Sequence, residues 1–235
     1  MRSRKVPGRF RITTMGVIGG VALVGGMFAT LGAGLVNPAF ATSTTPPTTL
    51  AASTPVPVVV NAEQSPFHSA RSYTFSATVD NLQGYPASLA RGRRATIVMA
   101  MASWCLYCAY EDKYVIPRLA QTPGVVIDIV DVSSKGGIGD PGPQLPAFTG
   151  HDGHGSALNV AGMVQTMAQY TQKFGTLSAP NIHVYAATPA TQKAWHVTTY
   201  PSMAFIRATG MVASAPPGAL TLAQAQQALQ GAVNS

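Results

Sequence analysis

A chain of 235 residues with fifteen basic and eight acidic side chains carries a formal charge of +7, yet only 10% of its residues are charged and 46% are hydrophobic. Five of the basic residues, Arg2, Arg4, Lys5, Arg9 and Arg11, fall in the first eleven positions, so the remainder sets ten basic groups against eight acidic ones. That near-neutral remainder, with no stripe of aromatic and basic residues, excludes a nucleic-acid binder, and two cysteines are too few for a disulfide framework or a four-cysteine zinc site.

Residues Ile12 to Val36, 25 in a row, hold no charge. With the basic cluster before them they form an export signal or a membrane anchor. The run exceeds the roughly 7 to 15 residues of a secretory core and reaches the about 20 that span a bilayer. Pro38-Ala39-Phe40-Ala41 supplies an Ala-x-Ala cleavage pattern, so residues 1–41 are either removed near Ala41 or retained. No cysteine ends the apolar run to carry a lipid. Both outcomes put the rest of the chain outside the cytoplasm, in the compartment where disulfides persist, and membrane contact runs through the N-terminal segment if it stays. Residues 42–65, rich in Thr and Pro from 42 to 60, read as an extended linker, and residues 66–235 suffice for one domain with a substantial core.

In that domain Ser72 to Ser76 alternates and Asp80-Asn81-Leu82-Gln83-Gly84 is a turn cluster, which predicts an N-terminal hairpin. Ala95 to Met101 is short, apolar and β-branched in its middle, suited to a buried parallel strand. Trp104-Cys105-Leu106-Tyr107-Cys108 follows directly and holds both cysteines. A helical stretch to about Gln121 and a second strand, Val125 to Val132, complete a strand, helix, strand unit with Cys105 at the helix start. Unpaired backbone N–H groups and the positive end of the helix dipole stabilise a thiolate there, so Cys105 is the expected nucleophile. Cys108, one turn further in, is shielded and resolves a mixed disulfide by attacking Cys105.

From Ser133 to Ser156 the chain carries seven glycines and three prolines, the mark of a long loop that is a functional lid or mobile. Residues 157 to 174 regain helical order, with Val160, Met163, Val164, Met167, Ala168, Thr171 and Phe174 on one face. Asn181 to Ala186 is a third strand, Thr188 to Trp195 a short helix, and Ser202 to Arg207 a strand. A Thr209-Gly210 turn joins this strand to Met211–Ser214 as an antiparallel hairpin. Thr221 and Gln224 form a capping-box pattern for a last helix whose inward face is Leu222, Ala225, Leu229 and Val233.

The run from about residue 72 to 232 resembles the thioredoxin-like superfamily, and within it the TlpA/ResA-like membrane-tethered thiol/disulfide oxidoreductases. The matching pieces are Asp80 to Gly84, Ala102-Ser103-Trp104-Cys105-x-x-Cys108, Val125 to Val132, Tyr170 to Gly175, and Trp195 to Ser202. The resemblance implies an α/β fold: a central mixed β-sheet flanked by helices, with an N-terminal hairpin and a loop-plus-helix insertion between the second and third strands. It implies that Pro201 is the cis-proline facing the disulfide, with Tyr200 offering its backbone to an extended substrate and Trp104 beside it. It also implies that Glu111, three residues after Cys108, is the acid that receives a proton as Cys108 attacks. Met99 stands where thioredoxin proper buries an acid, Leu106-Tyr107 lacks the family's common proline, and Lys113 replaces a proline that often kinks the helix.

The expected activity is disulfide exchange with protein thiols, in the reducing direction, as in cytochrome c maturation. A DsbA-like oxidant is the alternative. The expected partners are client proteins with cysteines or disulfides and a membrane electron donor, and no cofactor beyond the Cys105–Cys108 pair is implied. Ala102 lacks the hydroxyl a peroxiredoxin places three before its cysteine. His151 and His154 give a copper metallochaperone two imidazoles, but copper-delivery relatives space their cysteines more widely, and Met163 and Met167 lie on a face that packs as core. No metal ligands are assigned.

Overall fold

A computed structural model describes residues 77–234. The segments read above as signal or anchor, as linker, and as a strand over Ser72–Ser76 lie outside the described residues.

The described chain runs β1 (Val79–Asn81), β2 (Pro86–Ala87), β3 (Ala95–Met101), α1 (Leu106–Tyr110), a π turn (Glu111–Val115), α2 (Ile116–Leu119) and β4 (Val125–Asp131). It continues through α3 (Val160–Lys173), a 3-10 turn (Gly175–Leu177), β5 (Ile182–Ala187), α4 (Pro189–Trp195), β6 (Ser202–Arg207), β7 (Val212–Ser214) and α5 (Leu222–Val233). Seven strands form one mixed sheet in the order β2-β1-β5-β4-β3-β6-β7. β3, β4 and β5 are parallel, while β6 runs antiparallel to β3 and β1 antiparallel to β5.

Every residue of β3 is buried, as its unbroken apolar run requires of a strand covered on both faces. Ile97, Met99 and Met101 point into a core shared with Ile127, Ile129, Ile116, Leu119, Met167, Tyr170 and Leu229. Val98 and Ala100 point the other way, into a second core with Val130, Tyr185, Ala204 and Ile206, against which Trp195 packs. The period of two thus places the cysteine helix, α3 and α5 over one face and α4 over the other. The capping box at the start of α5 forms as its sequence predicts, and Thr188 caps α4.

Four departures from the sequence pattern have local causes. The hairpin exists, but Asp80 and Asn81, expected in its turn, belong to β1. Asn81 Oδ1 accepts the amides of Gln83 and Tyr85, each at 3.0 Å, and Gly84 supplies the positive φ of +76°. The helix after the cysteines is interrupted by the π turn, where Ile116 N–H reaches back five residues to Glu111 C=O. Pro117, just inside α2, has no N–H to give, and the widened turn accommodates that loss. On α3 the fully buried aromatic is Tyr170, which the predicted face omitted, while Val160, Ala168 and Thr171 are only partly covered.

The last departure is the Gly/Pro-rich segment. Bridges Lys135↔Ala157 and Asp140↔His151 fold it into a ribbon that lies on the turn before α1. Gly139 N–H donates to Ser103 C=O (2.9 Å) and Gly153 N–H to Trp104 C=O (2.8 Å). A Cβ at Gly139 would sit 2.7 Å from the carbonyl carbon and oxygen of Cys105. Glycine is required there because two backbones touch.

Candidate active site

The parallel strand β3 ends at Met101, and its C-terminal edge delivers Ser103, Trp104 and Cys105 to the start of α1. Cys105 is the N-cap, in extended conformation, and its sulfur accepts the Cys108 amide at 3.5 Å. Both cysteines are free thiols. Tyr200–Pro201 is a cis peptide, and Tyr200 C=O faces Cys105 Sγ at 3.8 Å. Trp104, Cys105, Cys108, Tyr200 and Pro201 therefore meet in space, 95 residues apart in sequence between Cys105 and Tyr200.

Trp104 is fixed from three sides. Its Nε1–H donates to Ser133 Oγ (2.9 Å), Tyr200 meets it edge-on (5.7 Å between centroids), and His154 of the ribbon tilts over it at 4.7 Å. Lys135 Nζ stands 5.1 Å from the ring. Behind Ser133, whose amide binds Asp131 Oδ1, lies a fully buried carboxyl group raised to about 7 by burial. Asp152 accepts the Leu106 amide at 2.9 Å, capping α1, and its Oδ2 lies 3.7 Å from His154 Nε2. The ribbon therefore supplies Asp152 and His154 to the rim. Spacing alone does not show this; the glycine density was the available signal, since it permits the close backbone approach.

The two thiols are held at opposite ends of the acidity scale. Cys105 lies below its ordinary value, chiefly because Cys108 donates a hydrogen bond to its thiolate, aided by the backbone amides of Cys108 and Tyr107. Burial and the Asp152 charge oppose this without overcoming it. Cys108 is pushed well up, first by complete burial, then by the Cys105 sulfur and by the charge of Asp112. A nucleophile that ionises readily beside a partner that keeps its proton is the pairing that disulfide exchange uses.

Glu111 is not a solvated helix charge; it is fully buried. Its Oε1 accepts the amide of Leu220, just before α5, and burial raises its carboxyl well above the usual range. Sequence reasoning passed over its neighbour. Asp112 is equally buried, accepts the Tyr170 hydroxyl at 2.6 Å, and is raised to about 7 by burial. The signal was present: Asp112 follows Cys108 by four residues, one turn along the same helix.

A parallel β3-β4-β5 core continued by antiparallel β6 and β7, with a Cys-x-x-Cys helix at the C-terminal end of β3 and a cis-proline opposite, defines a thioredoxin-like fold. No family model matches the sequence, and none of the curated proteins does. Among solved structures the chain is similar to MTB dsbF in its mixed oxidized and reduced forms, at 17% identity over 66% of this chain and 94% of that one, with a TM-score of 0.45. It is similar to a putative electron transfer protein from Aquifex aeolicus VF5 at 12% identity, over 71% of this chain and 100% of that one (TM-score 0.49). A third is a thiol:disulfide interchange protein of the thioredoxin family from Chlorobium tepidum TLS, at 20% identity over 70% and 98% of the two chains (TM-score 0.43).

Proposed function

We propose that this protein is an extracytoplasmic thiol/disulfide oxidoreductase that reduces disulfides of client proteins, with Cys105 as nucleophile and Cys108 as resolving thiol. The observation that carries the proposal is the unequal setting of the pair. Cys105 caps a helix with a lowered pKa and faces Tyr200 C=O, whereas Cys108 is sealed in the core with a raised one. An extended client segment lying along Tyr200 and Trp104 pairs with the Tyr200 backbone and brings its sulfur to Cys105.

The charges beside the pair support the reducing direction. A strong oxidant needs its thiolate heavily stabilised; DsbA lies about 150 mV above thioredoxin. Here Leu106 and Tyr107 bring no cation between the cysteines, and Asp152 opposes ionisation of Cys105. The Cys105 thiolate therefore draws its stabilisation from hydrogen bonds and not from a neighbouring cation, which supports the reducing direction. The basic cluster and the uncharged run of residues 12–36 support export, with an anchor to the membrane if residues 1–41 are retained. An anchored reductase draws its electrons from a membrane donor and suits clients such as the disulfides of c-type apocytochromes.

A Cys108→Ser variant, purified from its native compartment, is expected to carry clients as mixed disulfides on Cys105, and Cys105→Ser is expected to carry none. Equilibration with glutathione fixes the direction. A potential near that of thioredoxin, about −270 mV, supports the reductase, and one near about −120 mV reverses it.

A further inference from the structure

Adjacent residues of a regular helix point about 100° apart, so two neighbouring acids seldom share a buried face. Glu111 and Asp112 are both fully buried because they open the widened π turn, and each is received by a different element. Glu111 is met by Leu220, ahead of α5. Asp112 is met from α3: its Oδ2 accepts the Tyr170 hydroxyl at 2.6 Å, and Thr176 Oγ1 donates to its backbone carbonyl at 3.2 Å. Asp112 Oδ1 is buried without a hydrogen-bond partner. A carboxylate oxygen stripped of water and left without a donor is costly and ready to take a proton; Glu111 Oε2 is orphaned in the same way, but the carboxylate charge that acts on Cys108 is that of Asp112. The thiol one turn back is Cys108, which shares the surrounding core with Tyr170. The electrostatics agree with that placement: the Asp112 charge acts on Cys108, and both cysteines act on Tyr170.

We propose that Asp112, positioned by Tyr170, takes the proton from Cys108 when Cys108 resolves the mixed disulfide, an assignment that rests on the disulfide-exchange function proposed above. In this step Asp112 Oδ1 accepts the Cys108 proton, and the Cys108 sulfur attacks Cys105 Sγ. The Cys105–Cys108 bond forms as the bond from Cys105 to the client sulfur breaks, and the client sulfur leaves with the electron pair. The two electrons given up in closing the protein's disulfide are the two that reduce the client's. Tyr170 keeps its own proton, because burial and the Asp112 charge hold its hydroxyl well above the usual value. It therefore donates to Oδ2 throughout and leaves Oδ1 as the basic oxygen. Burial brings the Asp112 carboxyl to about 7, where a general base is most effective near neutral pH. The groups facing it are Cys108 from the start of the helix, Glu111 beside it and Tyr170 from α3.

The test uses the reduced full-length chain and 5,5′-dithiobis(2-nitrobenzoate). One thionitrobenzoate is released as Cys105 attacks, and a second as Cys108 displaces it. Asp112→Asn is expected to lower the rate of the second phase relative to the first roughly 100-fold at pH 7. In the same variant the Cys108 thiol pKa, followed by NMR, is expected to fall, because an opposing charge is gone. An easier ionisation together with a slower attack is not what a merely structural role produces. Tyr170→Phe keeps the base but removes the O–H that holds its carboxyl down, so the second-phase pH profile is expected to move to higher pH. An unchanged second phase in Asp112→Asn, or the loss appearing in Glu111→Gln instead, overturns the assignment. If Asp112→Asn does not fold, an unshifted profile in Tyr170→Phe overturns it. Absence of the first phase in the unsubstituted protein sinks the exchange function itself, and with it the assignment.

Discussion

Cys105 and Cys108 are separated by two residues and both are buried in one core cluster, yet their sulfurs have different neighbours. Around Cys105 the protein offers backbone amides, the Tyr200 carbonyl and a ribbon bearing Asp152 and His154. Around Cys108 it offers an apolar core with carboxyl groups at its edge, all of them raised by burial. The comparison teaches that a dithiol becomes a directed device through its surroundings. In the proposed exchange, hydrogen bonds from the rim make one sulfur the nucleophile, and complete burial makes the other a thiol that acts only when its proton has somewhere to go.

The contrast predicts its greatest effect at the sulfurs themselves. Cys105→Ala is expected to abolish exchange with a peptide disulfide, while Cys108→Ala keeps a thiol that alkylates near neutral pH. In the reduced protein, iodoacetamide at pH 7 is expected to modify Cys105 at least about 10-fold faster than Cys108, read by peptide mass mapping. Equal rates would erase the distinction between rim and interior.

A smaller effect is expected where the ribbon meets the rim. Gly139→Ala places a methyl group 2.7 Å from the Cys105 carbonyl, so the ribbon must lift or the helix start must shift. Overpacking of this kind costs about 1–3 kcal/mol, measurable by urea denaturation. The same variant should lose the amide protection of Gly153 in hydrogen exchange.

The interior makes its own prediction about pH. Asp112, Asp128 and Asp131 titrate at about 7 when folded, well above their ordinary value of 3.8. Between pH 4 and 7 the unfolded chain releases protons that the folded one retains, so stability falls as pH rises through that window and levels off above it. The urea midpoint at pH 5 is accordingly expected to exceed that at pH 8. Asp112→Asn should narrow the difference.

The smallest change is expected at Asp152. Asp152→Asn keeps an oxygen for the Leu106 amide but removes a charge that opposes the Cys105 thiolate. The Cys105 alkylation profile should move to lower pH, with about a two- to threefold faster reaction at pH 6. A shift to higher pH would mean that capping outweighs charge.

Much of this was legible in the chain. The apolar run Ala95–Met101 became a strand of the same limits, the Thr188 and Thr221 caps started helices, and the resemblance carried by Tyr200-Pro201 anticipated the cis bond beside the cysteines. What escaped depends on three-dimensional company. Asp112 drew no assignment because helical periodicity assumes 3.6 residues per turn, and the π turn over Glu111–Val115 breaks that count. Tyr170 fell off the predicted face of α3 because its burial is set by Asp112, 58 residues away. Asp152 and His154 sit in a segment with no periodicity to read, placed by backbone hydrogen bonds from Gly139 and Gly153 to Ser103 and Trp104 whose only mark in the sequence is the glycines.

The outer strands of the sheet have a consequence for the client handling proposed above. Among the described residues the sheet ends in β2, two residues long, and β7, three residues long and irregular in its pairing with β6. Open strand edges are templates on which extended polypeptides accumulate. Ends this short give a client almost no ladder to extend, so the place where its backbone finds sustained partners is beside Tyr200, next to the sulfur. Under the proposed function a brief visitor is thus steered to the position where it is chemically changed, and the edges of the described sheet offer it little hold.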